Sequence, residues 1–354
     1  MTRNTDATAP LRNADALFEA GLIAEDDLAA ARHVEKKFTV ALSAPIAALI
    51  DRDDPADPIA RQFLPDAREL VIRPEERADP IGDSAHSPCE GLVHRYPDRV
   101  LLKLIAICPV YCRFCFRREM IGPGHQPHLS SEALDTALAY IAQHQEIFEV
   151  ILTGGDPLLL SPRRLGAVID RLGAIEHVKI LRIHTRVPVA EPALVSDALV
   201  ECLRAARQPV YVALHANHPR ELTKDVQQAC AKFIDAGIPM LSQSVLLRGV
   251  NDDVEILAAL MRNFIALRIK PYYLHHPDLA RGTGHFRLSI EEGQALVRQL
   301  RGRLSGLCQP HYVLDIPGGY GKVPIGPSFV AKAGDVWRTE DFSGEIHDYM
   351  PPEV

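Results

Sequence analysis

Residues 100–115 read VLLKLIAICPVYCRFC, and how this stretch is taken decides the fold. The run 100–107 is apolar but for Lys103, which is the pattern of a strand buried on both faces. Thiols follow it at once: Cys108, Cys112 and Cys115, spaced CxxxCxxC. Three of the seven cysteines fall within these eight residues. In a reducing compartment such crowding points to metal binding or catalysis rather than to disulfides. Structural zinc takes four ligands in paired short spacings, and Cys89 or a histidine could supply a fourth. Three thiolates by themselves suit a cubane iron–sulfur cluster with one iron left open, and the spacing matches neither common ferredoxin pattern. Cys202 and Cys230 lie in helical patterns, where a packing thiol is the expectation.

Outward from this stretch the chain alternates. Further apolar runs at 149–152, 178–184, 210–215, 240–247 and 270–274 read as strands. Helical periods lie between them. Ser161-Pro162 places a capping serine and an N1 proline ahead of Leu165, Val168, Ile169 and Leu172. Thr223 opens a helix that Gly237 closes, and Ser289 with Glu292 forms a capping box before Leu296, Val297 and Leu300. Six strand–helix alternations predict an α/β fold with a parallel sheet, closed as a barrel or curled as a partial one. In either case active residues gather at the C-terminal strand ends.

Upstream, residues 1–12 read as a frayed tail, and 13–37 as short amphipathic helices carrying Leu17, Leu22, Leu28 and Val34. The stretch 51–94, with Asp54-Pro55, Asp57-Pro58 and Asp79-Pro80, reads as loop-rich. The expected organisation is an N-terminal helical and loop extension over 1–95, a barrel over 96–305 and a C-terminal segment over 306–354.

A net charge of −7 gives no basic footprint for nucleic acid. Acidic residues from Asp15 to Asp27 interrupt any signal-peptide core. The longest apolar stretch, 100–110, is too short to span a bilayer. These features lead to the expectation of a cytoplasmic protein with a small-molecule substrate and neither nucleic-acid nor membrane partner.

The triplet resembles the signature of the radical S-adenosylmethionine (SAM) superfamily. In that superfamily the open iron of a [4Fe–4S] cluster chelates SAM, whose reductive cleavage yields a 5′-deoxyadenosyl radical. Thr153-Gly154-Gly155-Asp156-Pro157 is similar to its glycine motif for the SAM amino group. Three further stretches make the resemblance more specific: Tyr96-Pro-Asp-Arg99, Asp278-Leu-Ala-Arg-Gly-Thr-Gly-His285-Phe-Arg287, and Asp315-Ile-Pro-Gly318-Gly319-Tyr-Gly321-Lys322-Val-Pro324. With the triplet they resemble the lysine 2,3-aminomutase family over nearly the whole chain.

That resemblance implies a radical SAM partial (β/α)6 TIM-type barrel. It implies that Lys322, in the C-terminal segment, carries pyridoxal 5′-phosphate (PLP) covalently and that Arg99 contacts the PLP phosphate. Arg117 would pair with the substrate α-carboxylate, and Asp278 with Asp315 would hold the distal ammonium of lysine. Gly154, Gly155, Asp156, His215 and Gln243 would line the SAM site. Arg113 and Arg118 would do no more than offset the cluster's negative charge. The implied reaction moves the α-amino group of L-lysine to Cβ, giving β-lysine, with an external electron donor. Absence of a cysteine beyond Cys308 leads to the expectation of no intersubunit zinc, and leaves a homo-oligomer open. The modest length suits the short branch related to elongation factor P β-lysylation. The same chemistry on arginine, or a non-catalytic iron–sulfur protein, are the alternatives; the second has no use for Lys322 and Arg99.

Overall fold

The computed structural model describes residues 9–122 and 124–350; residues 1–8 of the expected tail lie outside them. The rest of that tail is paired: Leu11 and Leu42 exchange two backbone hydrogen bonds of 2.8 Å. Short helices α1 (Ala14–Glu19), α2 (Glu25–Glu35), α3 (Ala44–Ala47) and α4 (Pro58–Phe63) follow. The last arises within the loop-rich stretch because Asp57 Oδ1 accepts from the Ile59 and Ala60 amides while Pro58 occupies the first turn.

The main sheet has nine strands in sequence order, β1 (Leu92–Tyr96), β2 (Arg99–Ile105), β3 (Glu149–Gly154), β4 (Ile180–Thr185), β5 (Val210–His215), β6 (Met240–Val245), β7 (Ile269–His275), β8 (His311–Asp315) and β9 (Lys322–Pro324). All six expected strands are present and parallel. A seventh, β8, extends the parallel set across residue 305, and antiparallel β1 and β9 border it. Helices α5 (Ser131–Gln143), α6 (Pro162–Gly173), α7 (Val187–Ala190), α8 (Asp197–Arg204), α9 (Lys224–Asp235), α10 (Val254–Ala266) and α11 (Ile290–Leu300) fill the crossovers.

The start signals act as read. Ser161 accepts from the Arg164 amide, Thr223 from that of Val226, and Ser289 and Glu292 close a capping box. Gly237 takes φ +81° past α9. Leu165, Val168, Ile169 and Leu172 of α6 are buried, each stabilising by about 2 kcal/mol before entropy is subtracted. Cys230 is fully buried in the same core, and Cys202 packs against it from a half-buried position.

β1 and β9 are the two edges of the sheet, yet the Lys322 amide donates to Tyr96 Oη at 2.6 Å. A flat sheet at about 4.8 Å per strand would separate those edges by about 38 Å. The sheet therefore curls into a partial barrel whose mouth the Tyr96 side chain spans. Beyond it, β10 (Val330–Ala333), β11 (Val336–Glu340) and β12 (Ile346–Tyr349) form a separate antiparallel meander. No helix among the described residues is long and apolar enough to cross a membrane.

Candidate active site

Inward positions of a small barrel normally carry apolar side chains that fill it. Here several alternate positions on the concave face are polar: Arg182 and His184 on β4, His215 on β5, Gln243 on β6, Tyr273 and His275 on β7. Polar groups resist close packing, and the barrel keeps a cavity of about 240 Å³. All thirteen candidate site residues line it: the three cysteines, Arg99, Arg117, Gly154, Gly155, Asp156, His215, Gln243, Asp278, Asp315 and Lys322. No two of their motifs are neighbours in sequence; the curl brings them together.

Cys108, Cys112 and Cys115 lie on the loop leaving β2, whose backbone rests on the N-terminal extension. The Tyr111 amide donates to Ala41 O (3.0 Å) and the Arg113 amide to Gln62 O (2.8 Å). Burial pushes all three thiols up, Cys112 to about 11, although the Arg186 guanidinium pulls it back. Thiols held this far from ionisation need a strong local cation to become thiolates, as the iron of a cluster provides. The only three His, Cys, Asp or Glu ligands within 4.8 Å of one another among the described residues are Asp341, Glu345 and His347. The three sulfurs do not all lie within that distance of one another.

Gly154 and Gly155 are required for a reason the sequence did not show. A Cβ on Gly154 would stand 2.3 Å from Ile105 O, and one on Gly155 2.1 Å from Ile107 O. The Gly155 and Asp156 amides donate to those same carbonyls. These glycines let the end of β3 clasp the root of the cysteine loop. The Asp156 side chain is held within the protein. Its Oδ1 accepts from Thr185 Oγ1 (2.7 Å) and the Leu158 amide, and its Oδ2 from the Arg186 and Val187 amides (2.6 and 3.0 Å). Its side-chain acceptor capacity is spent joining the ends of β3 and β4, which fixes the loop that carries Gly154 and Gly155. His215 Nε2 and Gln243 Oε1 are 3.1 Å apart. Burial and then the Arg186 charge push His215 down to about 3, so it is a neutral donor to the glutamine.

At the other side of the mouth, Asp315 and Lys322 are cross-strand partners in the β8–β9 hairpin. That register places Lys322 Nζ 2.8 Å from Asp315 Oδ1. The connecting turn needs left-handed backbone at Gly318, Gly319 and Gly321, and a Cβ on Gly321 would press on Tyr96 Oη at 2.9 Å. Burial raises the Asp315 carboxyl, but the His275 hydrogen bond and the Lys322 charge outweigh it and hold Asp315 well below the usual range. Asp278 behaves oppositely. Burial and then the charge of Asp315 push it up to about 8, and its Oδ1 is buried without a partner.

Arg117 is buried, with Nε and Nη2 on Asp83 Oδ2 (3.2 and 3.1 Å) and Nη1 3.4 Å from Thr153 Oγ1. Arg99 stacks on Tyr96, 3.7 Å from the ring centroid, and is held by Asp98 at 2.7 Å. Arg113 and Arg118, to which the sequence attached no specific role, both bind the fully buried Glu69, and Arg113 also donates to Thr39 O (2.8 Å). They anchor the extension beneath the cysteine loop.

Reading the sequence missed Arg95, Tyr96, His184, Arg186 and His275, all in the cavity wall, and Asp83 behind it. His184 ends a predicted strand and His275 directly follows one, positions that could have been flagged; nothing local distinguishes Asp83 from other loop aspartates.

The Radical SAM superfamily profile matches residues 102–261 and the Lysine-2,3-aminomutase profile residues 297–354. The chain is 40% identical over 318 residues to the L-lysine 2,3-aminomutase of Clostridium subterminale, covering 90% of this chain and 76% of that one. Identity to the L-lysine 2,3-aminomutase of Escherichia coli is 37%, covering 85% and 87%. The glutamate 2,3-aminomutase of Clostridioides difficile is 35% identical, covering 89% and 74%. Profile matches at both ends of the barrel and identity sustained across it place one conclusion beyond the geometry: this chain belongs to the lysine 2,3-aminomutase family of radical SAM enzymes.

Proposed function

We propose that the chain is an L-lysine 2,3-aminomutase, which moves the α-amino group of lysine to the β-carbon. The observation that carries the choice of lysine is the carboxylate pair at one side of the cavity. Asp315 already accepts a primary ammonium, that of Lys322, at 2.8 Å, and Asp278 adds an oxygen with no partner. A second carboxylate beside an ionised one stays charged only with a shared cation. A glutamate side chain in that place would add a third negative charge. Arginine is the second reading, because its guanidinium is also a cation suited to two carboxylates.

When bound, the [4Fe–4S] cluster with SAM supplies a carbon radical able to remove hydrogen from Cβ, and PLP supplies a covalent hold on the migrating amine. Cys108, Cys112 and Cys115 would hold the cluster, with Gly154 and Gly155 fixing their loop and His215 and Gln243 beside SAM. Lys322 would hold PLP and Arg99 its phosphate. Arg117 would grip the substrate carboxylate while Asp278 and Asp315 grip the far ammonium. Fixing both ends of a flexible chain selects which hydrogen faces the radical. The enclosing β-strands and the Tyr96 bridge keep bulk water from the reacting carbon. An external donor would deliver the electron.

The test is anaerobic reconstitution with iron, sulfide, PLP, SAM and a reductant, followed by incubation with L-lysine, L-arginine and L-glutamate. Conversion of lysine to β-lysine in excess over the other two is expected. Turnover of arginine in preference to lysine selects the second reading, and a fully loaded cluster with no product from either sinks both.

A further inference from the structure

Asp83 is a buried carboxylate beside the cavity that the proposed chemistry leaves without a role; its side chain is 1% exposed. It lies on a strap, residues 76–86, that crosses the mouth of the barrel from the N-terminal extension. The strap is fixed on two sides. The Arg77 amide donates to Leu279 O (2.8 Å), and Glu76 Oε2 accepts from the Gly282 amide (2.8 Å), beside the Asp278 loop. At Gly82 (φ +66°) a Cβ would stand 2.6 Å from the backbone of Gly318 and Gly319, in the Lys322 loop. Asp83 is therefore held where the strap puts it and cannot follow a moving partner.

From that point it engages two arginines of the cavity wall. Oδ1 accepts from Arg95 (2.9 Å), which also donates to Ile81 O (2.8 Å), and Oδ2 takes the Nε and Nη2 fork of Arg117. Arg117 has five N–H donors. Two go to Asp83 and one faces Thr153 Oγ1, which leaves one hydrogen on each terminal nitrogen. That remaining pair is a two-pronged donor suited to a carboxylate. An arginine side chain loses substantial rotamer entropy on being fixed, and here the loss occurs on folding, before any ligand arrives. We propose that Asp83 is the positioning residue of the substrate-carboxylate site, orienting Arg117 from the strap so that its terminal edge faces the cavity.

This inference rests on the proposed grip of Arg117 on the substrate carboxylate, and its test separates the two. On reconstituted holoenzyme, dissociation constants of L-lysine and of L-lysinamide, which lacks the carboxylate, are measured by calorimetry. Asp83→Asn keeps the shape and removes the charge that aligns Arg117. It is expected to weaken lysine about ten- to hundredfold, the range for a charged hydrogen bond, while lysinamide changes by less than about twofold. In the pair Asp83→Asn/Arg117→Met the loss is no larger than for Arg117→Met alone, since residues acting as one unit are not additive. Asp83→Glu retains the buried charge and guards against a folding failure; its longer arm displaces the anchor and lowers the lysine-to-lysinamide preference by about threefold. A wild-type preference in either folded variant, or equal weakening of both ligands, overturns the inference. Wild-type turnover of lysine is run alongside: its absence sinks the lysine reading, whereas normal turnover with an unchanged preference in the variants sinks only the role of Asp83.

Discussion

Asp278 should make lysine binding pH-dependent in a calculable way. In the ligand-free cavity, burial and the adjacent Asp315 push its carboxyl up to about 8, against the opposing charges of Lys322, Arg117 and Arg95. A substrate ammonium shared between the two aspartates requires both ionised, so binding must remove the Asp278 proton. About half of the protein carries ionised Asp278 at pH 8 and about one part in a hundred at pH 6, so affinity should be about fiftyfold weaker at pH 6. At pH 7, binding should release about 0.9 proton. Calorimetry in buffers of different ionisation enthalpy reads both quantities. In Asp278→Asn the slope between pH 6 and 8 disappears, and affinity at pH 8 falls about ten- to hundredfold. Groups on lysine itself titrate identically in both proteins, so the difference isolates Asp278. The sign for stability follows from the same shift. The folded state holds this proton more tightly than the unfolded one, so ligand-free protein loses stability as pH rises from the ordinary carboxylate range through about 8. Wild-type affinity that is flat over pH 6–8, or a slope that survives in Asp278→Asn, would refute the paired-carboxylate reasoning.

Lys322→Ala should abolish borohydride-trappable PLP while the iron content stays at the wild-type level; trapped cofactor in that variant would reassign the lysine. Gly155→Ala, whose Cβ would stand 2.1 Å from Ile107 O, should cost about 3 kcal/mol by overpacking and lower the iron bound per chain, read by denaturant unfolding and iron assay. Glu69→Gln leaves the buried guanidinia of Arg113 and Arg118 without their anion, an expected loss of about 4 kcal/mol in the same unfolding assay. A loss near zero would show that these arginines find another counter-charge.

Several parallel strands were legible because they are largely buried on both faces and read as near-continuous apolar runs, as in β3, where Val150, Ile151, Leu152 and Thr153 are all buried. Helix starts were legible because a capping side chain acts within three residues of itself. β8 carries Tyr312, Val313 and Leu314, but it is short and is separated from β7 by two single-turn 3-10 helices and α11, so it reads as part of a tail. The meander β10–β12 escaped because its residues are mostly exposed, which removes the alternation that marks a half-buried strand. In the site, chemistry-bearing residue types were visible as motifs, whereas their supports were not. Asp83, Glu69 and Asp156 look like ordinary loop acids until the groups they neutralise or cap are placed beside them.

By itself the sequence placed the CxxxCxxC triplet directly after the first parallel strand, because spacing along a chain survives without coordinates. It singled out which side chains are candidates for the chemistry, because those types recur as compact motifs. The tertiary structure decided what each one faces. Curling of the nine strands sets Tyr96 against Lys322, the β8–β9 register sets Lys322 against Asp315, and the strap sets Asp83 against Arg117. It also tied β3 to β4 through Asp156, and Arg113 and Arg118 to Glu69. Charge and hydrogen bonding act over a few ångströms of space, and contacts between residues tens to hundreds of positions apart exist only once the chain has folded.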